Sequence, residues 1–256
     1  MSNPPPLPRF LRPMLAQSGR AFDSDQHSFE IKWDGIRALA FVEHAGYRLL
    51  SRHGLALGEL FPELAGIADL PPGTLLDGEL VVLRNGRPHR SLVQSRHQLR
   101  SAHKIRIRAQ TTPATYVVFD QLYHEYRPLL GTPLSVRRDI LCNTLDRGRT
   151  LGRAGHPRDA DQAGDADQAG DADQAGETNH AGVVFSQGVV GAGRAFYQQV
   201  LARQLEGVMA KRLDSLYRPG RRDGAWIKIK PLPIDLSRSA ESNSRTHFGG
   251  GPRKDR

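Results

Sequence analysis

The amino-acid sequence predicts an α+β domain in which antiparallel sheets are flanked by helices. In the first half of the chain, short runs of alternating apolar and polar residues are separated by turn residues, a pattern typical of antiparallel strands. Longer segments with helical spacing of apolar residues follow in the second half. With 256 residues, the chain is long enough for one large domain with a sizeable core.

The predicted strands are short and bounded by turns. Residues 37–43 and 47–52 form a predicted hairpin around the turn at His44–Gly46. Apolar-rich runs predict buried strands at 75–83 and 116–123. Further strands are predicted at 30–38, 206–213 and 225–231.

Three helices are predicted, at 91–99, 133–145 and 195–205. Pro133 fits the first turn of the second helix, where its missing N–H leaves no hydrogen bond unmade. We expect these helices to pack on the outside of the sheets.

The domain is expected to run over residues 10–231, with a disordered N-terminus at 1–9 and a disordered tail at 232–256. Residues 159–176 are three copies of DADQAG, within an acidic insert at 155–180 that is too polar to bury anything. We expect this insert to be a solvated, disordered loop. The 26 residues after Lys230 are expected to be too few for an OB-fold, which needs about 50 or more.

The charge of the chain is basic and unevenly spread. The formal net charge is +9, and residues 80–119 contain no Asp or Glu. Residues 84–108 within this stretch carry eight Lys or Arg and three His. The alternatives are an ordinary solvated face and a surface for a polyanion such as a nucleic-acid backbone, and the length of the acid-free stretch favours the second.

Cysteine usage and hydropathy exclude other classes of protein. The single cysteine, Cys142, excludes a disulfide framework and fits a reducing cytoplasm. No apolar run reaches the roughly 18 residues of a membrane span, so no membrane partner is expected.

The segment 30-EIKWDGIRA-38 places a lysine inside a predicted strand. On a strand, Glu30, Lys32 and Asp34 would share one face. The alternatives are an ordinary surface ladder of charges and a lysine aimed at a ligand. Gly35 favours the second, because a glycine in a strand often marks close approach of a ligand or of another backbone segment.

A second pair of lysines lies near the end of the predicted domain. In 226-WIKIK-230, Lys228 and Lys230 share one face of a predicted strand, where they would repel each other unless an anion lay between them. Together with the carboxylates nearby, these cations favour a triphosphate with a divalent metal as the ligand.

Six motifs in order resemble the nucleotidyltransferase (adenylation) domain of ATP-dependent DNA ligases, most closely the bacterial end-joining type. They span about 200 residues and are EIKWDGIR (30–37), SRHG (51–54), LLDGEL (75–80), VVFDQLY (117–123), EGVMAKRLDSLYRPG (206–220) and AWIKIK (225–230). The resemblance implies an ATP-grasp-like nucleotidyltransferase domain. It also implies ATP and Mg²⁺ as cofactors, with Mn²⁺ as a substitute.

The resemblance also implies catalytic roles. Lys32 would attack the α-phosphate of ATP and carry AMP through a phosphoramidate, after losing its proton. Lys228 and Lys230 would favour the neutral amine and neutralise the charge that builds on phosphorus. Asp34 and Glu206 would hold or hydrate the metal.

Further residues would bind the nucleotide or the DNA in such a domain. Phe119 would stack on adenine, Glu79 would accept from the ribose hydroxyls, and Arg37 would meet the incoming 5′-phosphate. Arg52 would contact the phosphate or the nick. The nucleotide-binding set that the resemblance implies is completed by Glu30 and the backbone of Ile31, which would read the adenine edge, and by Lys211.

The expected partner is nicked or broken duplex DNA, joined between a 5′-phosphate and a 3′-hydroxyl during DNA repair. Ligases of this type normally continue into an OB-fold, so two alternatives remain: a separate protein supplies an OB-fold or an end-binding function, or the chain is a slow or partial ligase. The alternatives are an RNA ligase or end-repair nucleotidyltransferase, and a non-catalytic nucleic-acid-binding remnant.

Overall fold

The computed structural model describes residues 5–153 and 182–231, without the side chains of residues 147–153. The predictions for 155–180 and 232–256 lie outside the described residues. The strands within the described ranges are β1 Gln17–Gly19, β2 Ser24–Ile31, β3 Ile36–Glu43, β4 Gly46–Ser51, β5 Thr74–Arg84, β6 Arg87–Pro88, β7 Ala114–His124, β8 Arg127–Pro128, β9 Val183–Phe185, β10 Gly188–Gly191, β11 Val208–Arg212 and β12 Trp226–Ile229.

Helices connect the strands and cover the sheets. The α-helices are α1 Arg90–Ser95, α2 Ala102–Thr111, α3 Leu134–Arg153 and α4 Gly193–Ala202, and 3-10 helices span Gly58–Leu60, Pro62–Asp69 and Arg96–Gln98. The combination of sheets and helices confirms the predicted α+β class.

The first sheet has five strands in the order β1-β12-β11-β2-β10. Its strands alternate apolar and polar residues, so one face is apolar and packs under α4 in a cluster that includes Phe29, Val208 and Ile229. The other face carries charged side chains beside apolar ones, because Glu30, Met209 and Lys228 lie side by side across β2, β11 and β12. This mixed face forms one wall of a cleft.

The second sheet has seven strands and follows the path β4-β3-β5-β7-β8, with β6 beside β5 and β9 beside β7. Its outer face packs under the 3-10 helix Pro62–Asp69 and under α1 and α3 in the largest core cluster. Its inner face contributes Leu39, Leu75 and Phe119 to a cluster that reaches Trp226 of the first sheet. The cleft opens beside this contact between the two sheets.

The predicted hairpin is confirmed, since β3 and β4 pair in an antiparallel register on either side of the turn before Gly46. Two pairings differ from the antiparallel expectation, because β1 runs parallel to β12 and β9 runs parallel to β7. Helix α3 begins near Pro133 as predicted but continues past residue 145. Helix α2 was not predicted as a helix.

Two predictions at the start of the chain are wrong. The strand predicted at 30–38 ends at Ile31, and a loop follows before β3 begins at Ile36. Residues 5–9 are placed in the structure, and Leu7 is buried in the cluster between the sheets. The packed domain therefore begins before residue 10. Among the described residues, the helices are all too short or too polar to cross a bilayer.

Candidate active site

The cleft between the two sheets has a volume of about 490 Å³. This is within the usual range of small-molecule sites, about 300–1,000 Å³. Nine of the twelve predicted site residues line it: Glu30, Ile31, Lys32, Arg37, Arg52, Glu79, Phe119, Lys211 and Lys228. Sequence motifs that are up to 200 residues apart therefore meet at one place.

Lys32 is positioned by the end of β2 and by a glycine of the neighbouring strand connection. Its backbone N–H donates to the carbonyl oxygen of Gly207 at 2.8 Å. Its Nζ donates to Oε2 of Glu206, and both side chains are about four-fifths buried. Gly35 lies where an added Cβ would be 2.0 Å from the carbonyl oxygen of Leu80, so this glycine allows two backbone segments to approach.

Glu206 joins two lysines that are far apart in sequence. Its other carboxylate oxygen, Oε1, accepts from Nζ of Lys230. Burial alone would raise the pKa of Glu206, but the hydrogen bonds from Lys230 and Lys32 outweigh it and hold the pKa below its ordinary value. Glu206 is therefore a carboxylate that fixes both ammonium groups at the edge of the cleft.

Lysine is concentrated at this site to an unusual degree. The chain has 36 Lys and Arg, of which six are lysines. Among the described residues, all lysines except Lys104 lie at the cleft, namely Lys32, Lys211, Lys228 and Lys230. Because ammonium groups can lose a proton and guanidinium groups cannot, this choice of residue type suits nucleophilic chemistry.

Glu30 is 1% exposed and holds two cations below the cleft. Its Oε1 accepts from Nη1 of Arg138 at 2.6 Å, and its Oε2 accepts from Nζ of Lys211 at 2.8 Å. Burial lowers the pKa of Lys211, and the charge of Glu30 opposes that shift. Both carboxylate oxygens of Glu30 are thus already hydrogen bonded, which leaves it less free to read a nucleotide edge than the sequence indicated.

Phe119 supplies an aromatic surface to the cleft. Its ring packs edge to face with Trp226, with 6.0 Å between the centroids. Nζ of Lys211 lies 4.1 Å from the centroid of the Phe119 ring. A planar ligand in the cleft would therefore meet an aromatic ring beside cationic groups.

Arg37 lies in a different environment from the one predicted. Its guanidinium forms a bidentate pair with the fully buried Asp77, at 2.8 and 2.5 Å, and lies 5.2 Å from the Phe119 ring centroid. Burial disfavours its charge, but Asp77 more than compensates and raises the pKa of Arg37. Tyr217 also donates to Asp77, at 2.7 Å. Arg37 is therefore engaged in the core, with one edge at the cleft.

Glu79 lies opposite Arg37 across the β3–β5 pairing and lines the cleft. Burial raises the pKa of Glu79 to about 7, although the charges of Arg37 and Lys32 act in the opposite direction. Near neutral pH this carboxyl group can therefore either donate or accept a hydrogen bond, and a hydroxyl group can be its partner in both states.

The mouth of the cleft is cationic. It is lined by Arg52, His53, Arg90 and Arg222, with Leu55 beside them at 62% exposed. A positive mouth raises the local concentration of anionic ligands.

A metal ion would have few protein ligands here. Within the described part of the chain, no three His, Cys, Asp or Glu side chains form a group that could hold a metal. Asp34 lies in the loop after β2, where it accepts from Arg90 at 3.1 Å, and Glu206 is bonded to two lysines. Glu206 and Asp34 fit Mg²⁺ only in the usual manner of nucleotide sites, in which phosphate oxygens and water supply most ligands.

Sequence reasoning missed several residues of the cleft. They are apolar or lie in segments without a motif: Leu15, Ala16, Trp33, Met209, Arg222 and Trp226. Leu15 and Ala16 had no signal, because they belong to a proline-rich start that reads as irregular. Met209 and Trp226 could have been found from strand alternation, since they share a face with Lys211 and Lys228.

Known proteins share this architecture. The ligase domain of Mycobacterium tuberculosis LigD superposes with a TM-score of 0.60 at 30% identity, over 86% of this chain and 59% of that one. A mycobacterial DNA ligase D complexed with ATP and MES gives a TM-score of 0.58, also at 30% identity, over 86% of this chain and 60% of that one.

Curated relatives show the same similarity in sequence. DNA ligase C1 of Mycolicibacterium smegmatis is 33% identical over 86% of this chain and 56% of its own length. The multifunctional non-homologous end joining DNA repair protein LigD of M. tuberculosis is 31% identical over 86% of this chain and 24% of its own length. The chain therefore spans about half or less of these relatives. Residues 13–230 match the family described as ATP dependent DNA ligase domain, and the chain belongs to that family.

Proposed function

We propose that this chain is the adenylation domain of an ATP-dependent DNA ligase that acts in cytoplasmic DNA repair. In this proposal Lys32 forms a covalent lysyl-AMP, and AMP then activates the 5′-phosphate of a nick for attack by the 3′-hydroxyl. The observation that carries the proposal is the position of Lys32, whose Nζ lies at a cationic cleft beside Lys228 and is held by Glu206. The names of the relatives support the substrate class.

Different residues of the cleft would bind different parts of ATP. Phe119 offers a face for adenine, and Glu79 a partner for the ribose hydroxyls. Lys228, which forms no ion pair with another described residue, is free to meet a phosphate oxygen. Lys32 then forms the N–P bond as the bond to pyrophosphate breaks, and its proton leaves with solvent. Mg²⁺, held by phosphate oxygens with help from Glu206 and Asp34, would supply further charge neutralisation.

Glu206 holds Lys32 and Lys230 before ATP arrives. Because its pKa is depressed, Glu206 stays ionised at neutral pH and keeps both ammonium groups in place. A triphosphate that enters the cleft brings competing negative charge, which would attract Lys230 and release Lys32 from the carboxylate. Preorganisation of this kind lowers the cost of assembling the reactive geometry.

Covalent labelling tests the proposal. The purified chain is incubated with ATP labelled at the α-phosphate and Mg²⁺, and is then separated on a denaturing gel. We expect label on the wild type and none on Lys32→Ala or Lys32→Arg, since guanidinium stays protonated. Lys104→Ala is the matched control, because Lys104 is exposed on α2 and away from the cleft. Equal labelling of Lys32→Ala and the wild type would overturn the assignment.

A further inference from the structure

Helix α2 contributes almost nothing to the core of the protein. None of its ten residues is buried, and only Ile105 and Ala109 are partly buried. These two residues are four apart, so they form one narrow stripe that faces the 3-10 helix Pro62–Asp69. Helices of this length are marginal on their own. The rest of the helix surface is therefore free for another role.

The exposed surface of α2 is basic and unpaired. It carries His103, Lys104, Arg106 and Arg108, and none of these forms an ion pair with another described residue. Ile107, 43% exposed, lies among them. Because residues 80–119 contain no acid, no carboxylate within this segment neutralises the surface.

Two other arginines of the same acid-free stretch are engaged in ion pairs, unlike the basic residues of α2. Arg96 is 1% exposed, pairs with Glu63 at 2.9 Å and packs over Phe61, with 4.7 Å to the ring centroid. Arg90 pairs with Asp34. Arg96 belongs to the acid-free stretch that the sequence indicated as a polyanion surface, but it is buried and anchors the segment that precedes α2. The segment before α2 is thus held in place, and α2 itself carries cations without ion-pair partners among the described residues. This combination suits a binding element.

We propose that the exposed face of α2, formed by His103, Lys104, Arg106, Ile107 and Arg108, binds the backbone of duplex DNA beside the joint that is being sealed. This inference rests on the proposed function, since the adenylation cleft defines where the joint lies. Basic side chains would contact phosphates, and Ile107 would contact the sugar surface between them. Charge complementarity favours this partner, because phosphate backbones present regular negative charge.

The geometry limits how far this contact extends from the cleft. His97 lines the cleft, and α2 begins five residues later at Ala102. Five residues span at most about 18 Å, and a ten-residue helix adds about 15 Å. The far end of α2 therefore lies within about 33 Å of His97, which corresponds to about 10 base pairs of duplex at 3.4 Å each.

Binding measured against salt tests the proposal. A fluorescent nicked duplex with 20-base-pair arms is titrated with the wild type, with Arg106→Ala/Arg108→Ala, and with Arg194→Ala/Arg203→Ala at the two ends of α4, which removes the same charge elsewhere. Each phosphate contact contributes about −0.9 to the log–log salt slope, so the α2 variant should lose about 1.8 from the magnitude of the slope. Between 50 and 200 mM salt its affinity should fall about 12-fold less than that of the wild type. The α4 variant should keep the wild-type slope.

Alanine is the best helix former, so the α2 variant should keep its helix, which circular dichroism checks. A second variant, Ile107→Glu, places an acid on the proposed contact face and should weaken binding without removing a cation. An α2 slope equal to that of the wild type, or equal loss in the α2 and α4 variants, would overturn the proposal. So would a defect that appears only with arms longer than about 10 base pairs. ATP labelling is measured separately, so a failure of adenylation would leave this result interpretable.

Discussion

Gly207 connects Lys32, the proposed nucleophile, to the fold, and Gly207→Ala should disturb both the position of Lys32 and the stability of the fold. Its φ is +145°, in a region that side chains rarely adopt, and an added Cβ would lie 2.1 Å from the carbonyl oxygen of Ile229. Neither obstacle can be relieved by rotating a side chain, because the opposing atom belongs to the backbone of β12. The substitution should therefore push β11 away from β12 at the position where Lys32 is held.

The expected loss of stability has two parts. The unfavourable φ costs about 1–3 kcal/mol, and the forced contact adds about 1–3 kcal/mol. At about 2–4 °C per kcal/mol for a domain of this size, the melting temperature should fall by about 4–24 °C. The rate of ATP labelling at 20 °C should fall as well, because Gly207 accepts the backbone hydrogen bond of Lys32 and adjoins Glu206.

Gly46→Ala is the matched control. Gly46 also has a positive φ, +120°, but no heavy atom lies within 4 Å of its added Cβ. It should therefore show only the conformational cost of about 1–3 kcal/mol and should label at the wild-type rate. Equal melting temperatures for the two variants would refute the argument that the contact with Ile229 decides the effect.

Three further substitutions test the buried charges and hydrogen bonds. The pKa of Glu79 is raised to about 7, so its contribution to stability is present below its ordinary value of 4.5 and is lost as the pH rises through 7. Relative to Glu79→Gln, the wild type should lose up to about 3 kcal/mol of unfolding free energy between pH 4.5 and 8, measured by denaturant melts. Parallel plots of unfolding free energy against pH for the two proteins would contradict this. Arg137→Ala should cost about 3–5 kcal/mol, because it leaves Asp120, fully buried and bonded twice, without its partner; a loss below 1 kcal/mol would show that water replaces the guanidinium. Tyr217→Phe should cost about 1–3 kcal/mol, because the N–H of Met14 loses its acceptor; an unchanged midpoint would argue against that bond.

Much of the site could be predicted because strand alternation is a local property. Lys228 faces the cleft while Ile227 and Ile229 pack in the core cluster under α4, as the period of two requires. The hairpin of β3 and β4 was predictable for the same reason, since its turn and its alternation lie within 16 residues. Local patterns therefore locate the strands and the side of each strand that carries charge.

The same local patterns gave a wrong prediction where the backbone leaves the sheet because of contacts with residues that are distant in sequence. The alternation of Glu30, Lys32 and Asp34 suggested a continuous strand, but the chain leaves the sheet after Ile31. The N–H of Lys32 then bonds to Gly207, and Gly35 packs against the carbonyl of Leu80. Neither partner could be identified from the segment itself, because both lie far from it along the chain.

The partners of buried charges were the least predictable feature, and this decides which residues remain free for a ligand. Arg37, Arg96 and Glu30 each carry a formal charge that a ligand could use, yet each is engaged in a buried or partly buried ion pair with a residue at least 33 positions away. Transfer of a charge from water to the protein interior is unfavourable unless an oppositely charged partner is held there. Which residues form these pairs depends on tertiary packing, and a sequence motif does not show it. Lys228 and the basic residues of α2 are charges that this packing leaves without a partner among the described residues, and a polyanion supplies one.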